Sequence, residues 1–321
     1  MMRPILLAAL AAALACSTVA RAADDYPYKT IRFVTGFLPG GVSDTLARVV
    51  AEKMGDRLGQ RVIVDGRPGA GGVLSMEIAA GANPDGYTWY LGQPVITISP
   101  NFKRKPSIDT INAFAPVSLI GTAPTLLVAN AGLPFSDVKG LIAYSKSQPG
   151  GLRFGSSGPG TTNHMAGELL RVTAGIPLTS IPYKGAAATF VATISGEIHL
   201  TFTPLLAGIP QVKAGKLKAI GVTGARRSPA LPDVPAIAET LPGYEVSAWY
   251  GLVVPAKTPA PIIKRLNTDL NAVLATAEVR DRLAGQGVEV QGSTPEELAR
   301  IIRVDATRWA KLVKDAGLQL E

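Results

Sequence analysis

Hydrophobic positions along this chain switch repeatedly between two periods. Short apolar or β-branched runs at 31–34, 62–64, 87–91, 152–154, 179–181, 198–202 and 217–223 have the length and composition of strands. Between them, apolar residues recur at helical spacing: Leu46, Val49, Val50 and Met54; Met76, Ile78 and Ala79; Val138, Leu141, Ile142 and Tyr144, with Ser136 as the cap; Met165, Leu169 and Val172; Phe190, Val191 and Ile194; and the run 205–212. Strand and helix in alternation predict an α/β fold with a mostly parallel sheet covered on both faces. Residues 116–129 are apolar and β-like, with a break expected at 121–124 where the chain first crosses between lobes. Residues 249–254 supply the return crossing. Helices follow over 259–274, 279–284 and 294–316. In the last, Leu298, Ile301, Ile302, Trp309, Leu312 and Val313 form one core-facing stripe, and Thr294 with Glu297 forms a capping box.

Two segments share a design. In 152–170 a short strand runs into a loop of small polar residues, and Thr161 or Thr162 can cap the helix beyond. In 31–50 a strand meets the turn Pro39-Gly40-Gly41, and Ser43 or Asp44 opens the next helix. The unpaired amides of a helix's first turn, with the positive end of its dipole, favour a carboxylate or phosphate beside them. Ser156, Ser157 and Thr161 add hydroxyl donors. Either segment alone also fits an ordinary strand-to-helix turn; two of them facing each other would hold one small anion between two lobes. Asp44 fits two roles, acceptor for a ligand ammonium or first-turn residue stabilised by the dipole. Gln93, at the carboxyl end of a strand, fits a ligand contact or a surface amide.

A third strand, glycine loop and helix unit at 62–79 has Leu74 where the last glycine of G-x-G-x-x-G belongs, and no G-x-x-x-x-G-K-[ST] occurs, which removes the main support for nucleotide binding. The pair Ser157 and His164 raises an exported serine hydrolase, but Gly155-Ser156-Ser157-Gly158-Pro159 puts proline where a nucleophile elbow needs glycine. His164 and His199 have no metal-ligand spacing. The expectation is therefore no catalytic residue, no metal and no cofactor.

Composition adds export. Arg3, the apolar run 5–14 and small residues up to Ala20-Arg21-Ala22 read as a signal peptide over 1–22, cut near Ala22, with the mature protein periplasmic. No later stretch offers the ~20 apolar residues of a transmembrane helix. Cys16, the single cysteine, would leave with the leader; the rival is a lipoprotein site at Leu14-Ala15-Cys16. The full chain of 321 residues carries 32 basic and 24 acidic side chains; without Arg3 and Arg21 its charge is +6. The basic residues are scattered without interleaved aromatics, which argues against nucleic acid. About 300 mature residues suit two lobes.

The runs GFLPGGVSD, RPGAGG followed by NPDGYT, FGSSGPGTTNH, PYKG, GKLKAIGVTGARRSPALPDVP and WYGLVVPAKTP, in this order over essentially the whole mature chain, resemble the Bug family. These are the extracytoplasmic solute receptors of tripartite tricarboxylate transporters. The resemblance implies a type II periplasmic binding protein fold, with two α/β lobes, 23–124 plus 250–321 and 125–249, joined by two crossing strands around a ligand cleft. It also implies a small organic carboxylate held largely by backbone amides, and a partner in the membrane components of the transporter. The candidate ligand-binding set is Phe37, Leu38, Gly40, Gly41, Ser43, Asp44 and Gln93 in one lobe and Ser156, Ser157, Gly160, Thr161, His164, Tyr183 and Thr203 in the other, in a monomer. His199 and Thr203 stand where many members have aspartate and aspartate or asparagine, and Gly66 replaces the usual asparagine before R-P-G. These departures leave the ligand open, above all one bearing an amino group. A receptor diverted to signalling would carry the same sequence features.

Overall fold

The computed structural model describes residues 26–36, 40–183 and 186–320. The expected leader, Cys16, Phe37 and Leu38 lie outside them. In chain order the elements are β1 (Ile31–Thr35), α1 (Val42–Leu58), β2 (Val62–Gly66), α2 (Val73–Ala80), β3 (Thr88–Gly92), the short α3 (Val95–Ile98) and β4 (Phe114–Asn130). Then come α4 (Val138–Ser147), β5 (Leu152–Ser156), α5 (Thr162–Ala174), β6 (Leu178–Pro182), α6 (Ala186–Ser195), β7 (Leu200–Pro204), α7 (Leu205–Lys213) and β8 (Leu217–Val222). The chain returns through β9 (Ser247–Pro255) and ends with α8 (Ala260–Leu274), α9 (Ala277–Ala284), β10 (Glu289–Val290) and α10 (Pro295–Ala316). The order across the sheet is β2-β1-β3-β9-β4-β7-β5-β6, with β8 and β10 also on β4. Pairings are parallel within β2-β1-β3 and within β7-β5-β6, and antiparallel where β9 and β4 join the two sets.

The break expected at 121–124 does not occur. β4 runs through it unbroken and instead changes partners: Pro124 is the last residue opposite β9, and from Thr125 onward the strand pairs with β7 and β8. Gly121, which looked like a turn signal, marks a close approach, because a Cβ there would sit 2.5 Å from the Glu289 carbonyl oxygen on β10. Other local expectations shift by a residue or a face. Asp137, not Ser136, caps α4, its carboxylate accepting from Gly140 N–H. On α5 the buried face is Met165, Ala166 and Leu170, while Val172 is exposed, because Gly167 lets the helix lie directly on the Phe154 ring and turns Val172 outward. Val191 of α6 is likewise exposed.

Separate apolar cores form on either side of the partner change. Phe33, Leu46, Trp89, Leu252 and Leu266 lie in one, and Phe154, Leu170, Phe202, Tyr244 and Ile237 in another. The last helix reaches both sides. Leu298 and Ile302 pack with Trp249 and Val253, whereas Trp309 and Leu312 pack with Phe154 and Leu170. Between these two sets sits Asp305, buried within the expected apolar stripe. Its Oδ2 accepts from Thr97 Oγ1 of α3 at 2.6 Å and from Trp249 Nε1 of β9 at 2.9 Å. Asp305→Ala would leave the buried Trp249 N–H without its acceptor, while the Thr97 hydroxyl keeps Pro94 O at 2.8 Å, and is expected to lower unfolding free energy by about 1–3 kcal/mol. Asp305→Asn, which keeps an acceptor oxygen, should lose clearly less in the same urea titration.

Candidate ligand-binding site

Strand direction and register aim both halves of the sheet at one place. β3 runs parallel to β4 in direction and ends at Gly92, opposite Gly251, which is opposite Leu119 of β4. β7 runs against β4 and ends at Pro204, opposite Thr125. The carboxyl ends of the two parallel sets therefore point toward each other along β4, with roughly 20 Å between levels at ~3.3 Å per residue. Each set carries one of the two strand-to-helix turns there, after β1 and after β5, where open α/β sheets place ligands.

In the first turn Gly41, not Ser43 or Asp44, occupies the cap position of α1, and no side chain caps the helix. Its first-turn amides are left for other acceptors. Gly40 has φ +87°, a left-handed conformation that glycine adopts without steric cost. Ser43 and Asp44 lie inside the first helical turn and are buried. Asp44 Oδ2 accepts from Gly40 N–H at 3.1 Å and from Arg48 Nε at 3.0 Å. Arg48 beside it, helped by the Gly40 amide, holds the Asp44 carboxyl below its ordinary value of 3.8 despite burial. Ser43 donates to Gln93 Oε1 at 3.2 Å, and Gln93 is only 6% exposed. Tyr250, on the return strand β9, has its hydroxyl beside Ser43, and burial raises its pKa to about 12. Gln93 Nε2 and Thr35 Oγ1 are buried with no hydrogen-bond partner among the described residues.

In the second turn Thr161 takes the cap position of α5, yet its hydroxyl does not cap the helix; it faces Gly158 O and Asn163 Oδ1, both at 2.6 Å. Asn163 is the organiser that sequence reasoning missed. Its Oδ1 also accepts from Ser157 N–H and His164 N–H, and its Nδ2 donates to Ser157 Oγ. The only signal was a polar side chain in a helix's first turn. Ser156 is 1% exposed. Its Oγ accepts from Ser180 Oγ and Gly158 N–H, and its carbonyl accepts from Tyr183 N–H. Tyr183 sends its hydroxyl to Glu197, 2.7 Å away. Gly160 N–H donates to His164 Nδ1 at 3.1 Å.

One segment connects the turns. Gln93 meets Ser43, and a few residues on, Phe102 lies so close to Gly160 that a Cβ there would be 2.3 Å from the ring, with Ile98 next to it. Thr203, the residue before the last of β7, has its methyl against Gly208 of α7, and its hydroxyl has no partner among the described residues. Among the described residues Ser157 and His164 are not hydrogen-bonded to each other: His164 Nδ1 accepts from Gly160 N–H, and Ser157 Oγ accepts from Asn163 Nδ2. Among the described residues no acid, histidine and cysteine group has metal-site geometry, and no helix is long and apolar enough to cross a membrane. A groove of about 880 Å³ lies away from both turns, beside Ala115, Ile263, Asn267 and Ala299.

The family model described as "Tripartite tricarboxylate transporter family receptor", TctC, matches residues 46–318. The chain belongs to this family. An R. palustris protein solved with adipate is 34% identical, covering 92% of this chain and 99% of that one, with a TM-score of 0.81. The periplasmic binding protein BugD is 31% identical, over 92% of this chain and 100% of its own, with a TM-score of 0.79. MatC from Rhodopseudomonas palustris, with bound malate, is 31% identical over 90% of this chain and 100% of its own, at a TM-score of 0.77. The TctC receptor thus has the mixed α/β fold of Bug-type periplasmic binding proteins, and the family is one of solute receptors, not enzymes.

Burial holds the His164 imidazole below its ordinary value of 6.5, against the opposing pull of Glu168. A depressed value means the unfolded chain binds the proton more readily, so this contribution to stability is full above pH 6.5 and is lost as pH falls toward the lowered value. Thermal melts of wild type should drop on acidification below that point. His164→Gln, which keeps an acceptor for Gly160 but does not titrate, should flatten the slope; an unchanged slope would assign it elsewhere, for instance to His199, also shifted down by burial. Gly160→Ala forces a side chain into the Phe102 ring at φ +71° and is expected to lower the melting temperature by several degrees.

Proposed function

We propose that this TctC-family protein is an exported receptor that binds a small organic carboxylate between its two turns and hands it to the membrane components of a tripartite tricarboxylate transporter. The observation that carries the proposal is the opposition of the two half-sheets along β4, each presenting a helix start with unspent donors toward the same region. Adipate and malate in the two R. palustris relatives support the ligand class. In this reading 1–22 is a leader removed near Ala22, the mature protein is a periplasmic monomer, and lobes 23–124 plus 250–321 and 125–249 close on the ligand. Closure follows because only a guest touching both turns has higher affinity for the shut state than for the open one.

Isothermal calorimetry over a panel of mono-, di- and tricarboxylates should give saturable, one-site binding to at least one acid. No saturation with any acid would end the proposal. Ser156→Ala, which removes a buried donor without touching the helix, should cost about 1.5–3 kcal/mol of that binding. Affinity capture from membranes of the source cell should retain integral transporter components in the presence of the acid.

A further inference from the structure

We propose that the Thr35 hydroxyl, at the end of β1, is a ligand-contact group of the first lobe, donating together with Gln93 Nε2 to one carboxylate of the bound acid. The inference rests on the receptor reading and adds to it a residue absent from the sequence-derived set. It starts from the equivalence of the two half-sheets. β1 is the middle strand of β2-β1-β3, and β5 is the middle strand of β7-β5-β6. In each set the chain leaves the middle strand for one neighbour and then crosses back to the other, β1 to β2 to β3 and β5 to β6 to β7. The end of each middle strand is therefore a topological switch point, where α/β sheets hold ligands. Each middle strand is five residues long and leads through a turn into a helix without a side-chain cap. Thr35 and Ser156 are the last residues of these strands; both carry a hydroxyl, and both are 1% exposed. Thr35 is thus the first-lobe counterpart of Ser156.

The surroundings of Thr35 leave its hydroxyl unused. Its carbonyl accepts from Arg67 N–H at 2.8 Å, but Oγ1 has no partner among the described residues. Side chains alternate along a strand, so Thr35 shares the face of Phe33, whose core holds Leu46 of α1, Leu91 of β3 and Tyr250 of β9. Ser43, in the first turn of α1, donates to Gln93 Oε1, which holds the Gln93 amide at the start of the same helix. Gln93 Nε2 is a second buried donor without a partner among the described residues. The opposite face of this strand end is filled, since a Cβ on Gly36 would lie 2.5 Å from Ser75 Oγ of α2. Buried donors left unpaired cost stability. A carboxylate brings only acceptors, so it answers both donors, and the open amides and dipole of α1 favour its charge.

The test titrates the mature protein by calorimetry with the carboxylate panel, succinate, malate, adipate and citrate among its members, and follows the acid that wild type binds most tightly. Thr35→Val keeps the side-chain shape and removes the donor; it should weaken binding at least about tenfold, the worth of one hydrogen bond to a charged group. The same variant should melt at or above the wild-type temperature, because the hydroxyl has no partner to lose. Thr35→Ser, which restores the hydroxyl, should recover most of the affinity. Gln93→Glu keeps an acceptor for Ser43 but puts a carboxylate in place of Nε2, and it should also weaken binding. Wild-type affinity in Thr35→Val or in Gln93→Glu overturns this inference and leaves the receptor reading intact. So does a Thr35→Val protein that melts well below wild type or fails to fold, which would assign the hydroxyl to the framework, or a Thr35→Ser protein as weak as Thr35→Val. A wild-type protein that binds no acid of the panel removes the receptor reading and this one together.

Discussion

The backbone of β4 has donors and acceptors on two edges along 17 residues, and it satisfies them by changing partners part-way instead of bending away. Everything about the placement of the site depends on that exchange. Because β3 lies parallel to β4 through β9, while β7 lies antiparallel to it, two sets of parallel strands are forced to end facing each other. A chain that broke at Gly121 could have put the second set in any orientation. The continuous strand removes that freedom even though its register shifts at 116–118 and 119–121 opposite β9 and at 127–128 opposite β8, since reversing it would leave buried N–H and C=O groups unpaired.

Around this ladder the structure separates framework from binding chemistry. The last helix supplies apolar contacts to both cores, and its single buried carboxylate, Asp305, ties α3 to β9. That fixes the stretch from Gln93 to Phe102, which touches one turn at Ser43 and the other at Gly160. The turns themselves are braced by short side-chain networks, Ser43 with Gln93 and Tyr250 in one and Asn163 with Ser157 and Thr161 in the other. Such networks orient donors before any guest arrives, which lowers the ordering cost of binding. The same bonds direct Ser157 to Asn163 and His164 Nδ1 to Gly160, so the serine and the histidine are not bonded to each other.

What the sequence determined by itself was local. Apolar period located most strands and helices, glycine and proline located the turns, and the Thr294–Glu297 capping box appears as expected. These features follow from steric and hydrogen-bonding preferences of a few neighbouring residues. Even there, boundaries moved where a competing contact won, as with Gly41 in place of Ser43 as the α1 cap, or Asp137 in place of Ser136. The family could be read from the order of motifs along the chain.

What only the tertiary structure decided depends on residues distant in sequence. No local pattern shows that Gly121 makes room for a strand 168 positions later, that Asp305 sits inside an apolar stripe because two donors from other elements converge on it, or that Asp44 is taken by Arg48 and Gly40. Nor does the sequence reveal the role of Asn163, since an asparagine in a first turn has several partners to choose from and only the folded loop selects among them. Periodicity reports which side of an element is apolar; whether a donor is spent or free is settled by what the fold brings within about 3 Å of it.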